Sequence, residues 1–168
     1  MVSIFIPGIG KEESIVFSPQ IFMKNNKMEN IIISGAIDIE IEQATYISLT
    51  LINKDNELPS YIHVHFPEYC YNKGGISASL GIYFSMLYYV KKRTLKNKYM
   101  MTGELDIEGN IYEIGQIEEK VGVFDDSKCD FMFIPIENKR LCKNRDNIFG
   151  VSNIYEIQKI IDKLENAV

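Results

Sequence analysis

Apolar positions recur along this chain with two periods, and each period marks a different kind of element. From about Asp38 to Asn53, Ile37, Ile41, Ala44, Ile47 and Leu51 return every three or four residues, which predicts an amphipathic helix closed by Pro59. Tyr61 to Phe66 alternates instead and stops at Pro67, the pattern of a strand with one covered face. Ile31-Ile32-Ile33 predicts a buried strand. A turn-rich stretch through Gly74-Gly75 leads to a segment, opening at Ser77, that is apolar nearly all round: Ala78, Leu80, Ile82, Phe84, Met86, Leu87 and Val90. A helix without a polar face is enclosed by protein, so this one is expected to be central. Tyr99 to Thr102 predicts a strand and Leu105 to Ile111 a hairpin turning at Gly109. Helices are predicted from Gln116 to Ser127 and from Asn153 to Leu164, with a strand between them at Phe131 to Ile134. Residues 1–30 predict short strands, with Pro7-Gly8-Ile9-Gly10 and Lys24-Asn25-Asn26-Lys27 as breakers. Strands and helices mix without strict alternation, which predicts an α+β fold. No repeat, low-complexity tract or Pro/Ser linker divides residues 1–168, so one domain is expected.

Composition narrows the partners. Hydrophobic residues make up 46% and charged residues 24% of the 168, an ordinary globular balance. The net charge of -5 argues against nucleic acid, which calls for clustered Lys and Arg. The one dense basic run, Lys91-Lys92-Arg93, falls where a helix is predicted to end and there offsets the negative end of its dipole. No apolar run approaches the roughly 20 residues that cross a bilayer, and Met1 to Pro7 lacks a basic leader, so no membrane role is expected. Cys70, Cys129 and Cys142 form no CxxC pair and suit free thiols in a reducing, cytoplasmic setting.

Two residues carry candidate chemistry. Lys120 lies on the same helical stripe as Ile117, Val121 and Phe124. A lysine on a covered face either snorkels to water along its stem or is held in an apolar setting that lowers its pKa and makes it a base. Ser77 follows paired glycines at the start of the enclosed helix, where unpaired N–H groups favour an oxyanion and where serine is also a preferred cap. Periodicity leaves both pairs of alternatives open. Gly8-Ile9-Gly10-Lys11-Glu12 has the wrong spacing for a phosphate loop. His63 and His65 share a strand face but have no third ligand at fixed spacing, so a structural role is expected and no metal. Glu68 and Lys73 border Ser77 in sequence and fit substrate binding or simple solvation equally.

Taken together, the motifs resemble a known family. Ile62-His63-Val64-His65-Phe66-Pro67-Glu68 followed by Gly75-Ile76-Ser77-Ala78 is similar to the nucleophile region of Lon proteases. Met101-Thr102-Gly103-Glu104, Gly109, Ile114-Gly115 and Glu119-Lys120 resemble the segment carrying their base, and Ile134 to Arg140 resembles the strand and loop that follow. The interval between Ser77 and Lys120 is the family's own, and the resemblance covers roughly residues 31–164, with residues 1–30 poorly matched.

The resemblance implies the Lon proteolytic-domain fold, which is ribosomal protein S5 domain 2-like, with small sheets packed on a central buried helix and a C-terminal helix. It implies a serine endopeptidase acting on unfolded polypeptide through a Ser-Lys dyad. Ser77 matches the nucleophile, Lys120 the general base and Thr102 a threonine that helps hold the lysine, with backbone N–H groups near Ser77 and Ala78, beside Gly75 and Ile76, meeting the oxyanion. No cofactor is implied. A homo-oligomer, in the form of a hexameric ring, is implied by resemblance only. The family's ATPase has no counterpart within these residues, and no Walker motif occurs. Three explanations fit: a naturally short ATP-independent peptidase, which is the expectation, a domain excised from a longer protein, or a subunit served by an ATPase in trans. The usual Lys-Asp-Gly-Pro-Ser-Ala-Gly is here Lys73-Gly74-Gly75-Ile76-Ser77-Ala78-Ser79, and Gln116 and Ile117 stand where glycine and leucine are common. The alternative is a catalytically silent member of the same fold acting as an assembly or protein-binding module.

Overall fold

The computed structural model of the chain describes residues 3–10, 13–35, 37–67, 75–142 and 145–167. In chain order the elements begin with β1 (Ile4–Ile9), β2 (Ser14–Phe17), β3 (Gln20–Lys24), β4 (Asn30–Gly35), α1 (Ile39–Asp55) and β5 (Tyr61–Phe66). A 3-10 turn (Ile76–Ala78) leads into α2 (Ser79–Val90), followed by β6 (Tyr99–Met101), β7 (Glu104–Leu105), β8 (Ile111–Tyr112) and α3 (Ile117–Asp126). The chain continues through β9 (Phe131–Pro135), a second 3-10 turn (Ile136–Leu141), β10 (Ile148–Val151) and α4 (Ile154–Asn166). The fold is α+β, as the mixed pattern predicts. A five-stranded sheet runs β10-β9-β6-β1-β2, parallel except for β2. A three-stranded sheet runs β3-β5-β4, and β7 with β8 makes a separate hairpin.

α2 is the central helix. Every residue from Ser79 to Phe84 is buried, along with Met86, Leu87 and Tyr88, because α1 packs along one side and β1, β6 and β7 close others. α1 starts at the Asp38 cap, whose carboxylate accepts the Ile41 N–H at 3.0 Å. Its covered stripe is rotated from the expected one: Ile41, Ala44, Thr45, Ser48, Leu49, Leu51 and Ile52 are buried, whereas Ile37 and Ile47 are only half-buried. Two hydroxyls hide on this stripe because Thr45 and Ser48 each donate to the carbonyl four residues back, at 2.8 Å. A hydropathy pattern scores them as polar although their hydrogen bonds are met.

Two further expectations fail, and one strand goes unpredicted. Pro7-Gly8-Ile9 is no breaker but the end of β1. β6 pairs with β1 only over Ile4 and Phe5, so Pro7 sits where β1 has become an edge on that side and a missing N–H is tolerated. Gly8 is demanded by its partner strand, since a Cβ there would meet Ile15 Cγ1 at 2.8 Å. The turn comes at Gly10, whose N–H donates to the Glu13 carbonyl at 2.9 Å. β4 is not buried: it pairs only with β5, at the end of its sheet, and Ile31 is 46% exposed. β10 has no counterpart in the hydropathy pattern, because it is four residues long with Gly150 inside it. Lys91-Lys92-Arg93 does follow the end of α2, and Arg93 pairs with Asp162 on α4.

Candidate functional site

Lys120 and Ser77 are brought together. The Lys120 Nζ lies 2.9 Å from the Ser77 Oγ and 3.3 Å from the Thr102 Oγ1. α3 supplies the lysine from its first turns, where Ile117, Lys120, Val123 and Phe124 form the covered face. Lys120 is 5% exposed, so it does not snorkel. Burial removes water from its ammonium and lowers the pKa from the ordinary 10.5 to about 8, only partly opposed by the neighbouring Glu119 carboxylate.

Ser77 reaches the lysine from the 3-10 turn, two residues ahead of α2, rather than from the α-helix itself. It caps neither element, so its hydroxyl is left to the amine. The turn is entered through Gly75 at φ 101 and ψ 119, a region that a side chain rarely adopts, and a Cβ there would stand 3.5 Å from the Ser77 Oγ. The Ser77 carbonyl accepts the Gly103 N–H at 2.8 Å and the Thr102 hydroxyl at 3.3 Å. Fully buried Thr102 thus spends its proton on the serine's backbone and turns a lone pair to the lysine.

The Ala78 N–H, expected to face an oxyanion, instead donates to the Gly75 carbonyl at 3.2 Å. That is the closing bond of the 3-10 turn, and its length is at the weak end of the ordinary range. Gly75, Ile76, Ser77 and Lys120 all line one open cavity of about 310 Å³, bounded also by Pro7 to Ile9 of β1 and by Ile114 to Gln116 before α3. Glu68, Lys73 and Gly74 lie outside the described residues, as does Cys70.

Several residues escape the sequence reading. Ser79 is fully buried, donates to the Gly103 carbonyl at 3.1 Å and accepts the Leu105 N–H at 2.8 Å, which bolts the β7–β8 hairpin to the start of α2. Its signal is a hydroxyl at the start of a largely apolar helix. Asn138, also buried, accepts the Ile114 N–H and donates to the Ile114 carbonyl, both at 3.0 Å, and so fixes the segment before α3 as a neighbouring strand would. Glu40, Glu104 and Glu113 join the cavity wall from separate parts of the chain, and no local pattern links them. His63 Nε2 and His65 Nδ1 both bond the Ser34 hydroxyl, at 2.8 and 2.9 Å. Among the described residues no group of three or more His, Cys, Asp or Glu could hold a metal, and no helix is long and apolar enough to cross a membrane.

A serine hydroxyl against a buried amine with a lowered pKa is an arrangement chemically able to serve as nucleophile and base, here on an α+β scaffold. Residues 31–168 match the family described as Lon protease (S16) C-terminal proteolytic domain, and the chain belongs to that family. The Lon protease of Aster yellows witches'-broom phytoplasma is 28% identical over 143 residues, covering 76% of this chain and 18% of that protein. That of Buchnera aphidicola subsp. Schizaphis graminum is 31% identical over 137 residues, 81% of this chain and 17% of that protein. The Escherichia coli Lon protease is 30% identical over 118 residues, 70% of this chain and 15% of that protein. The chain therefore spans less than a fifth of the length of these relatives.

Proposed function

We propose that the chain hydrolyses peptide bonds in unstructured polypeptide, with Ser77 as nucleophile and Lys120 as general base. The observation that supports this reading best is the 2.9 Å approach of a buried amine, with its pKa lowered to about 8, to the serine hydroxyl. With an ordinary pKa of 10.5, about one lysine in a thousand is free base near pH 7.5; at about 8 the fraction is about a quarter. Desolvation thus raises the population of competent base on the order of a hundredfold.

Neutral Lys120 accepts the Ser77 Oγ proton as the oxygen adds to the scissile carbonyl carbon. The resulting ammonium returns that proton to the departing amine nitrogen when the C–N bond breaks, leaving an ester on Ser77. Water then attacks the ester, its proton passing to Lys120, and the serine oxygen leaves reprotonated. Thr102 keeps the amine aimed at the serine throughout. Stabilising the tetrahedral oxyanion asks the Ala78 N–H to leave the Gly75 carbonyl, so the 3-10 turn opens when substrate binds.

Digestion of an unfolded protein without ATP, by the native chain and by Ser77→Ala, tests the reading. Fragments from the native chain and none from the variant are expected; equal digestion by both, or by neither, refutes it. The engaged Ala78 N–H also favours a second reading, a silent assembly module of the same fold with its turn closed for good, and neither chain would then digest the substrate. A cytoplasmic location and a hexameric ring remain part of the proposal through the family alone, and dependence on an ATPase supplied in trans is the alternative to the ATP-independent activity that the digestion tests.

A further inference from the structure

We propose that the side-chain amide of Gln116 holds a main-chain peptide group of the substrate close to the scissile bond. This rests on the reading of the cleft as a peptidase site. Gln116 lines the same cavity as Ser77 and Lys120, at the end of the lining segment Ile114-Gly115-Gln116. Its backbone stands at φ 55 and ψ 37, in the left-handed region. A Cβ in that conformation crowds the following carbonyl, whereas glycine adopts the same angles without the clash. Asparagine and aspartate offset the cost with local hydrogen bonds from a short side chain, which glutamine does not do here.

No role in folding accounts for glutamine at this point. Gln116 occupies the N-cap of α3, yet its side chain makes no capping hydrogen bond. It is exposed, so it fills no core. Among the described residues its carboxamide has no hydrogen-bond partner. A strained backbone thus carries an unused polar side chain on the wall of the cavity that holds the serine and the lysine, the kind of place where strain serves a site. A carboxamide offers an acceptor oxygen and N–H donors, the complement of a peptide group. Among the described lining residues, only Gln116 and Ser77 have neutral side chains able both to donate and to accept, and the Ser77 hydroxyl is engaged by Lys120. Nearby main chain is already committed. The Ile114 N–H and carbonyl are both bonded to Asn138, and Pro7, also on the lining, has no N–H. The Gln116 carbonyl accepts the Lys120 N–H at 3.1 Å, so the amide is placed by the same first turn of α3 that places the base.

Gln116→Gly removes the amide and relieves the backbone, so stability and affinity should move in opposite directions. Ser77→Ala protein, with and without Gln116→Gly, allows binding to be measured without turnover. A fluorescein-labelled unstructured peptide and its single N-methyl derivatives, one for each peptide N–H, are titrated by anisotropy. Gln116→Gly should raise the urea midpoint and yet weaken binding of the unmethylated peptide about tenfold, the worth of the two hydrogen bonds that the amide makes. Methylating the one N–H that the Gln116 oxygen accepts should weaken binding about tenfold when Gln116 is present and under about twofold when glycine replaces it. A residue that only shaped the loop would leave the methylation profile unchanged. Equal affinity of the two proteins, the same methylation profile in both, or no binding at all overturns the proposal. Cleavage of the unmethylated peptide by the native chain reports the peptidase reading separately. Cleavage with binding that ignores Gln116 sinks only the role of the amide, and binding that depends on Gln116 without any cleavage sinks only the hydrolysis.

Discussion

If Lys120 is held at a lowered pKa by burial, the fold carries the cost of that burial, and the cost can be measured. The drop from 10.5 to about 8 corresponds to about 3 kcal/mol, at about 1.36 kcal/mol per pH unit. Below about pH 8 the amine is charged in both folded and unfolded chains, and the folded state suffers the full desolvation. Between about 8 and 10.5 the unfolded chain holds more protons than the folded one, so stability contributed by this group rises with pH. It is fully present above 10.5 and lost as pH falls to about 8. Lys120→Met fills the same space without a charge, at the expense of the two hydrogen bonds to Ser77 and Thr102. Urea unfolding of both chains at about pH 7 and about pH 10.5 isolates the effect, because the other titrating groups cancel in the difference. The native chain should gain about 3 kcal/mol on the variant between the two pH values, and the variant should be the more stable at about pH 7. A difference that stays flat with pH would mean that Lys120 is not desolvated in the folded chain, and the argument for a basic amine would fail with it.

Activity offers companion tests. Lys120→Arg keeps the charge but stays protonated, so hydrolysis should vanish in a peptide-release assay, and native kcat/KM should rise through about pH 8 as the amine loses its proton. Thr102→Val removes an acceptor that favours the ammonium; the rising limb of the pH–rate profile should move to lower pH, with kcat about tenfold to a hundredfold lower as the amine loses its aim. Gln116 caps α3 at φ 55, and Gln116→Gly should raise the unfolding free energy by about 1 kcal/mol, read by urea titration. Glu165→Gln puts a donor against the N–H groups of Lys96 and Asn97, which the carboxylate now accepts together with the Tyr99 hydroxyl; a loss of about 2 kcal/mol is expected in the same titration.

The candidate site is legible in sequence where one residue breaks a local rule. Lys120 is a charge on an apolar stripe, and Ser77 is a hydroxyl after paired glycines at the mouth of an all-apolar helix; both anomalies survive in the fold. The fold is legible where elements are long, as in α1, α2 and α4. It is illegible where tertiary contact overrides the local pattern. Pro7 extends a strand because β6 pairs with β1 only over Ile4 and Phe5, and Ile31 lies 46% exposed on β4, whose outer edge no strand among the described residues pairs with. The glutamates of the cleft have no sequence signature because their relation exists only once α1 meets the β7–β8 hairpin.

What sets the serine against the lysine is a set of backbone ties converging on Gly103. Its N–H holds the Ser77 carbonyl, and its carbonyl accepts both the Leu80 N–H at 3.2 Å and the Ser79 hydroxyl. The Thr102-Gly103 link between β6 and β7 is thereby locked to both the 3-10 turn and the first turn of α2. The lysine arrives independently on α3, whose approach is fixed by Asn138 gripping Ile114. The site therefore has a more firmly tied half and a looser one: Thr102 and Lys120 are each held by hydrogen bonds to Ser77, while the Ala78 N–H is held in the 3-10 turn by one bond of 3.2 Å to Gly75, next to the bond from the Ser79 N–H to the Ile76 carbonyl. Gly75 enters that turn at a positive φ, and the opening proposed for it needs that freedom if the Ala78 N–H is to reach a substrate. Gly75→Ala should for that reason impair turnover while leaving the alkaline rise in stability from Lys120 in place, whereas Asn138→Ala should weaken both, because only the latter loosens the support of the base.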